Sequence, residues 1–508
     1  MKKVVRTRFA PSPTGFLHVG GIRTALFAWL VARQNNGQFI LRLEDTDKKR
    51  EVEGSAEHLI KSLNSMGLEY DEGPDKPGEY GPYRQSQRLS IYKTWAQKLI
   101  DAGRAYADPY TPEEVQKFRE QAQEAKTPFL YRNHRPENTP TWDGSQPLRF
   151  KSEPKKYTWH DEVMGDLKTG PEVIDDIILI KSDGYPTYNF AHIIDDAEME
   201  ITHVIRGQEF LASVPNYLNL YEALGFDMGS VSENERTARA SEDGNEAMNS
   251  VHSELEGRAL PVFATMPHIL NETGNKKLSK RDGAKDVLDY INEGYLPEAL
   301  RSFIATLGWN DGTEQEVFRT DELIKKFSLA KVGKSGAHFD EKRLAWVNGH
   351  FIRELPLDEL YEHSLGYWPE ASNDCDESYK KSVLALIQER LKYLAEISEL
   401  TSFFFSELEP NLDLITANKQ LKKIEKKRLK ELLQISLSEL EQSDFSEQDI
   451  QNRLNRLLEQ TAEKPAVLFS IIRIAITWAP ASPALAGTLA VLGKQSSLNR
   501  IENSLGLL

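Results

Sequence analysis

The stretch VVRTRFAPSPTGFLHVGGIRTALFAWLVARQNNGQFILRLEDTD, residues 4–47, decides the architecture. Residues 4–9 read as a short strand. Pro11 and Pro13 then fix φ and remove two donors, so Pro11-Ser12-Pro13-Thr14-Gly15 is a rigid loop. After Gly20-Gly21 the apolar residues Ile22, Ala25, Leu26, Trp29 and Leu30 recur at helical spacing. Gln34-Asn35-Asn36-Gly37 ends that helix, and residues 39–43 form a second strand closed by Glu44-Asp45-Thr46-Asp47. Strand, loop, helix, strand is a βαβ unit, which implies a parallel sheet covered by helices.

The loop of that unit has chemical potential. Strand C-termini of α/β sheets face the ligand crevice, and a helix N-terminus holds phosphate through its free N–H groups and its dipole. Residues 11–21, PSPTGFLHVGG, lie at such a junction. Gly20 and Gly21 let a nucleotide approach the backbone, and His18 can donate to a phosphate. Taken alone, a glycine pair before a helix also fits a purely structural turn. A second segment, Lys276-Lys277-Leu278-Ser279-Lys280-Arg281, follows an expected strand at 262–265 and a Thr273-Gly274-Asn275 turn. Four cations in six residues repel one another, so an anion such as a triphosphate is their natural partner; a solvated basic loop is the bland alternative.

Outward from these segments, 508 residues allow roughly three to five domains of 100–200 residues each. Hydrophobic residues at 39% and charged residues at 28% provide for a packed core. The single cysteine, Cys375, excludes an internal disulfide and a multi-cysteine zinc site, which fits a reducing, cytoplasmic compartment. The basic N-terminus has no apolar run behind it and does not read as a secretory signal. The apolar stretch 466–492 is interrupted by Arg473, Pro480 and Pro483, so it reads as paired core helices around a Pro-rich turn rather than a membrane span. A net charge of −15 argues against a globally basic nucleic-acid binder and leaves room only for a local basic patch.

Further strands are expected at 177–181 and 203–205. Residues 84–187 read as a domain inserted in the sheet, helical at 87–102 and irregular in its Pro-, Lys- and Arg-rich middle. Residues 227–257 are polar and nearly devoid of large apolar side chains, and read as a mobile or helical surface insertion. From about residue 286 the chain is helical, and 355–508 shows helical periodicity throughout.

PSPTGFLHVGG resembles the first signature (HIGH) of class I aminoacyl-tRNA synthetases, and KLSKR (277–281) resembles the second (KMSKS). RFAPSPTG before the first motif, LEDTD (43–47), SDGYPTYNFA (182–191), THVIRG (202–207) and VNGHFIR (347–353) resemble the bacterial glutamyl branch. The resemblance runs over essentially the whole chain. It implies a Rossmann-like α/β catalytic core split as 1–83 and 188–275, an α+β acceptor-arm domain at 84–187, a stem-contact region at 276–355, and an all-α anticodon-binding region at 356–508.

The resemblance implies ATP-dependent attachment of L-glutamate to tRNA-Glu through glutamyl-adenylate, with Mg²⁺ on the ATP, in a monomer. His18, Lys277 and Lys280 are its implied catalytic residues. Pro11, Ser12, Thr14, Gly15, His18, Gly20, Gly21, Lys277, Leu278, Ser279, Lys280 and Arg281 are the implied ATP site. A substrate with two carboxylates and an ammonium suits Arg8 and Arg206 as bidentate forks, Glu44 as ammonium acceptor, and Ser12 and Tyr188 as neutral partners; His192 lies one turn beyond Tyr188. Loss of Lys280 is expected to lower kcat by roughly 2.7–4 kcal/mol of activation free energy.

The family's cysteine zinc site has no counterpart in Ala105-Tyr106-Ala107-Asp108-Pro109-Tyr110, so no zinc is expected. The basic segment 422–430 is either a solvated helix face or an RNA contact. A non-discriminating enzyme that also charges tRNA-Gln is the nearest rival. A glutaminyl enzyme conflicts with the helical C-terminus, and a short tRNA-modifying paralogue lacks one. A non-catalytic synthetase-like scaffold conflicts with two intact signatures.

Overall fold

The computed structural model describes residues 4–229, 257–278, 285–407, 409–479 and 482–508. The polar insertion expected at 227–257 falls almost entirely outside them, as do Ser279, Lys280 and Arg281. The chain divides into two compact units, Met1–Tyr290 with Leu300–Asp340, and Ile291–Ala299 with Glu341–Leu508.

The first unit is α/β. The expected βαβ is present as β1 (Arg6–Phe9), helix α1 (Val19–Gln34) and β2 (Gln38–Leu41). β1 and β2 pair in parallel, Arg6 opposite Gln38 through Phe9 opposite Leu41. Helix α1 is buried along nearly its whole length, from Ile22 to Ala32, because it is covered on more than its sheet face; Phe27 packs on Phe327 with ring centroids 4.8 Å apart. That explains an apolar stripe too wide for a surface helix. Asn36, with φ +50°, takes the left-handed turn that ends it.

The remaining strands are β3 (Ala105–Ala107), β4 (Leu148–Phe150), β5 (Tyr157–Asp161), β6 (Gly165–Thr169), β7 (Ile178–Ile180), β8 (His203–Gly207), β9 (Val262–Met266), β10 (Ile269–Leu270) and β11 (Ala337–His338). The main sheet has the order β2-β1-β8-β9-β5-β6. β1, β2, β8 and β9 are mutually parallel, and β5–β6 is an antiparallel hairpin whose first strand lies parallel to β9. From β1 the chain winds to β2 on one side, whereas β8 lies on the other and leads on to β9. The gap between the C-terminal ends of β1 and β8 is therefore a topological switch point, where α/β sheets bind ligands.

The irregular middle expected for 84–187 fails at 157–169. Tyr157, Trp159 and Asp161 are buried while Thr158 and His160 are exposed, a period-two pattern that makes a strand. β3, β4 and β7 form a separate antiparallel sheet. In the stretch 105–110, Asp108 accepts from Arg149 Nε at 2.6 Å and from the Tyr131 hydroxyl, and Tyr110 stacks edge-on to Phe118. Ion pairing and aromatic packing hold this segment.

The second unit is helical. Its core gathers Leu432, Leu433, Ile450, Leu457, Leu468, Ile471, Ile472, Leu489 and Ile501 from five helices, Lys426–Glu441, Glu447–Thr461, Pro465–Thr477, Leu485–Leu492 and Lys494–Leu507. Two of these, Pro465–Thr477 and Leu485–Leu492, are the core helices expected in the apolar stretch. Among the described residues, no helix is long and apolar enough to cross a membrane.

Candidate active site

A cavity of about 800 Å³ opens at the switch point. Its lining includes Arg8, Pro11, Ser12, Thr14, Gly15, His18, Gly20, Gly21, Glu44, Tyr188, Arg206, Lys277 and Leu278. Among the described residues, the sequence-expected site residues thus meet in one cavity, except His192. The C-terminal ends of β1 and β8 carry Arg8 and Arg206 to it. The turn at 273–275 folds Leu278 back so that its N–H donates to Ile269 O at 2.8 Å, which brings Lys277 to the rim. Gly274 makes that turn possible, with φ +73° and no room for a Cβ, which would stand 2.5 Å from the His338 ring.

The loop side of the cavity is built from backbone. Glu44 N–H donates to Pro11 O at 3.0 Å, Val52 N–H to Pro13 O at 3.0 Å, and Ser55 Oγ to Gly15 O at 2.8 Å, so the loop is pinned along its length. His18 is the N-cap of α1 and its Nδ1 accepts from Gly20 N–H at 3.1 Å. A ring accepting at Nδ1 keeps its proton at Nε2, the form that donates to an anion. A side chain at Gly20 would press on that ring at 3.1 Å.

The floor is charged and buried. Arg8 grips Asp196 with Nε and Nη2 at 3.0 and 3.2 Å and donates to Ile205 O from Nη1 at 3.1 Å. Its fork therefore faces Asp196 rather than the cavity, and a ligand would meet only its remaining N–H groups. Arg42 bridges Asp196 at 2.8 Å and Glu44 at 3.0 Å. Asp195 receives Arg88 Nε at 2.7 Å, the Tyr92 hydroxyl at 2.8 Å and Gln85 Nε2 at 2.9 Å. Burial pushes the Asp196 carboxyl up, yet Arg8 and Arg42 outweigh it and hold the group far below the usual range. Burial also raises Glu44, and Arg42 only partly offsets this, so its pKa stays above the ordinary glutamate value.

Arg206 differs from Arg8. Among the described residues no carboxylate lies within 4.0 Å of it, and its Nε is buried without a partner. Its guanidinium stands 4.0 Å over the Phe210 ring and donates to the Tyr188 hydroxyl and, at 3.3 Å, to His192 Nε2. A buried cation with aromatic walls and no anion is what a carboxylate ligand completes. His192 does not line the cavity; it stands behind Arg206, and burial first, then Arg206, lowers its pKa well below the ordinary histidine value.

Several lining residues were not anticipated. Arg23 of α1 donates to Leu307 O at 3.1 Å and to Pro267 O, and burial lowers it to about 10. Glu209 takes Lys277 Nζ at 3.4 Å and lies 3.9 Å from His268 Nδ1. Phe210 forms the wall under Arg206. A charged residue inside an otherwise apolar helix was the available signal for Arg23; Glu209 and His268 carried none. Glu44 and Glu209 are the carboxylates of the lining, and among the described residues no group of three or more His, Cys, Asp or Glu is placed to hold a metal ion.

Residues 4–241 and 245–346 match the family of tRNA synthetases class I (E and Q), catalytic domain, and residues 359–505 match the anticodon binding domain. A glutamate–tRNA ligase of Clostridium botulinum is 39% identical over 99% of this chain and 98% of its own length. One of Moorella thermoacetica is 36% identical over 98% of each. The crystal structure of a glutamate tRNA ligase from Elizabethkingia meningosepticum, in complex with its amino acid, superposes with a TM-score of 0.83 at 30% identity and covers 100% of both chains.

Proposed function

The chain belongs to the class I tRNA synthetases of the E and Q type, and from that premise we propose that it uses ATP to join L-glutamate to tRNA-Glu. The observation that carries this reading is the single cavity that gathers Arg206, Glu44, His18 and Lys277 between the ends of β1 and β8.

The substrate's α-carboxylate attacks the α-phosphate of ATP, giving glutamyl-adenylate and pyrophosphate. The terminal ribose hydroxyl of the tRNA then attacks the activated carbonyl and releases AMP. The first nucleophile is already an anion, so the protein supplies position and charge stabilisation rather than a base. His18 Nε2 and the N-terminus of α1 face the phosphates from one side. Lys277, at the rim of the cavity, neutralises the leaving pyrophosphate, and Lys280, which lies outside the described residues, is assigned the same task. Lys277 must exchange Glu209 for phosphate to do so. Pro11, Ser12, Thr14, Gly15, Gly20, Gly21, Leu278, Ser279 and Arg281 complete the ATP site. Among the described residues the lining carries two carboxylates, Glu44 and Glu209; magnesium would come with the ATP phosphates as part of the substrate.

Glu44 accepts the ammonium, Ser12 and Tyr188 give neutral hydrogen bonds, and Arg206 binds a carboxylate. The side-chain carboxylate is the one for Arg206. The α-carboxylate loses its charge on adenylation, and a tight guanidinium clamp would oppose that; the spectator keeps its charge throughout. Arg8 adds its remaining N–H groups and, through Asp196 and Arg42, holds Glu44 in place.

Residues 1–83 with 188–275 are the catalytic part, 84–187 the acceptor-arm part, 276–355 the stem-contact part and 356–508 the anticodon-reading part of a cytoplasmic monomer. The anticodon-domain match at 359–505 supports the last. Pyrophosphate exchange measured with glutamate, ATP and tRNA-Glu tests the activity. Charging assays with purified tRNA-Glu and tRNA-Gln then test the partner. No exchange under any of these conditions would overturn the reading; equal charging of both tRNAs would make the enzyme non-discriminating.

A further inference from the structure

His192 is 2% exposed on helix Tyr188–Glu198, and both ring nitrogens are committed. Nδ1 lies 2.8 Å from the carbonyl oxygen of Tyr188. A carbonyl only accepts, so Nδ1 carries the proton. Nε2 lies 3.3 Å from Arg206 Nη1. A guanidinium only donates, so Nε2 presents a lone pair. These two contacts define one neutral tautomer. The ring is clamped by Tyr188, stacked at a centroid distance of 4.8 Å, and by Tyr217, edge-on at 4.6 Å. It can neither turn over nor reach the cavity.

The consequence falls on Arg206. Of its donors, one Nη1 hydrogen is taken by His192 and one from Nη2 by the Tyr188 hydroxyl, while Phe210 supports the guanidinium face. The group is fixed in plane and rotation, with its unused N–H groups left for a ligand. Two parallel donors fit two carboxylate oxygens. A carboxamide offers one oxygen and one NH₂, and the NH₂ would set donor against donor beside a buried guanidinium. If Arg206 could swivel, it would tolerate the amide by turning a single N–H toward the amide oxygen.

We propose that His192 is a positioning residue for substrate selection: its Nε2 lone pair locks Arg206 so that the pocket accepts a side-chain carboxylate and rejects the corresponding carboxamide. The inference rests on the reading of the pocket as a glutamate site.

Two substitutions separate acceptor from bulk. In His192→Gln, Oε1 reaches the place of Nε2 and can still accept from Arg206. In His192→Asn, the shorter amide reaches only the place of Nδ1 and keeps the Tyr188 bond. Steady-state pyrophosphate exchange with the full chain and tRNA, using glutamate and then glutamine as substrate, reads the difference. The Asn variant should raise KM for glutamate roughly tenfold, the scale of one hydrogen bond to a charged group. Its kcat and its KM for ATP should stay within about twofold. Its preference for glutamate over glutamine should fall by a similar roughly tenfold factor. The Gln variant should recover most of that preference. His192→Met, of similar volume and without an acceptor in place, stands in if the Asn variant does not fold. Equal behaviour of the Gln variant and the acceptor-free variant would overturn the proposal, as would a parallel rise in KM for ATP. Absence of glutamate-dependent exchange in the unsubstituted chain would instead overturn the glutamate reading itself.

Discussion

Beneath the pocket the chain buries Arg8, Arg42 and Arg88 together with Glu44, Asp195 and Asp196. In the helical unit, among the described residues, no Arg, Lys, Asp or Glu is buried. Its buried polar side chains are, Asn348 apart, Ser and Thr, and half of the set return a hydrogen bond to their own helix, as Thr401 does to Ile397 O, Ser436 to Leu432 O and Thr461 to Leu457 O, each at 2.7 Å. A helix can satisfy small hydroxyls from its own backbone. It has no such remedy for a charge. Buried ion pairs lose much of their Coulomb gain to desolvation, so apolar packing serves as well for stability alone. Gathering them between β1, the chain that follows β2 and helix Tyr188–Glu198 therefore serves geometry: Arg42 holds Glu44, and Asp196 holds Arg8.

The largest effect is expected at Asp196. Asp196→Asn keeps the shape but leaves Arg8 and Arg42 short of a charge, and removing one partner of a buried pair costs about 3–5 kcal/mol. Urea unfolding should show that loss, together with a raised KM for glutamate. The sign with pH follows from the depressed carboxyl: its contribution is present above the unfolded-state pKa and disappears as pH falls through the folded one. The Asn variant should therefore lose less stability on acidification than the parent does. In the helical unit, Leu468→Ala should cost about 2–5 kcal/mol by leaving a cavity. Steady-state kinetics of the same variant should find KM for glutamate and ATP unmoved, since that core holds no group of the pocket.

A smaller effect sharpens the charge argument at the ligand. Burial raises Glu44, so as pH falls it takes up a proton sooner than an ordinary glutamate and loses its claim on the substrate ammonium. KM for glutamate should climb toward about tenfold per pH unit below that raised pKa. A KM that is flat until the ordinary carboxylate range is reached would show that Glu44 is not the ammonium acceptor.

Much of this was legible in the sequence, and the misses have physical causes. Residues 4–47 carried the βαβ unit because proline, glycine and a helical apolar period are local signals. Arg8, His18, Glu44 and Arg206 were legible through the resemblance of their motifs to the glutamyl branch, together with the fit of their charges to a substrate with two carboxylates and an ammonium. That Arg8 would be spent on Asp196 was not legible, because the two lie 188 positions apart, one on β1 and the other on helix Tyr188–Glu198, and meet only in the folded chain. Arg42, Asp195 and Arg88 were hidden for the same reason. His192 was visible as one turn beyond Tyr188, but its place behind Arg206 depends on packing across three elements. The 157–169 hairpin was missed although Tyr157-Thr158-Trp159-His160 alternates, because neighbouring lysines and prolines masked a short strand.

The smallest prediction uses the same chemical change in the other region. Asp376 caps helix Glu377–Ile387, its carboxylate accepting from Tyr379 N–H at 2.7 Å. Asp376→Ala leaves that N–H without its cap and should cost about 1 kcal/mol. Asp376→Asn retains a side-chain oxygen, and Asn caps about as well as Asp, so it should cost no more than about 0.5 kcal/mol. The exchange of Asp for Asn thus becomes a probe of what a carboxylate is for. At the cap the oxygen matters and the charge does not; beneath the pocket the charge matters, because two guanidiniums cut off from water depend on it. If unfolding experiments found the Asn variants of Asp376 and Asp196 equally mild, the buried charges under the pocket would be incidental, and the account of how Arg8 and Glu44 are held would have to be given up.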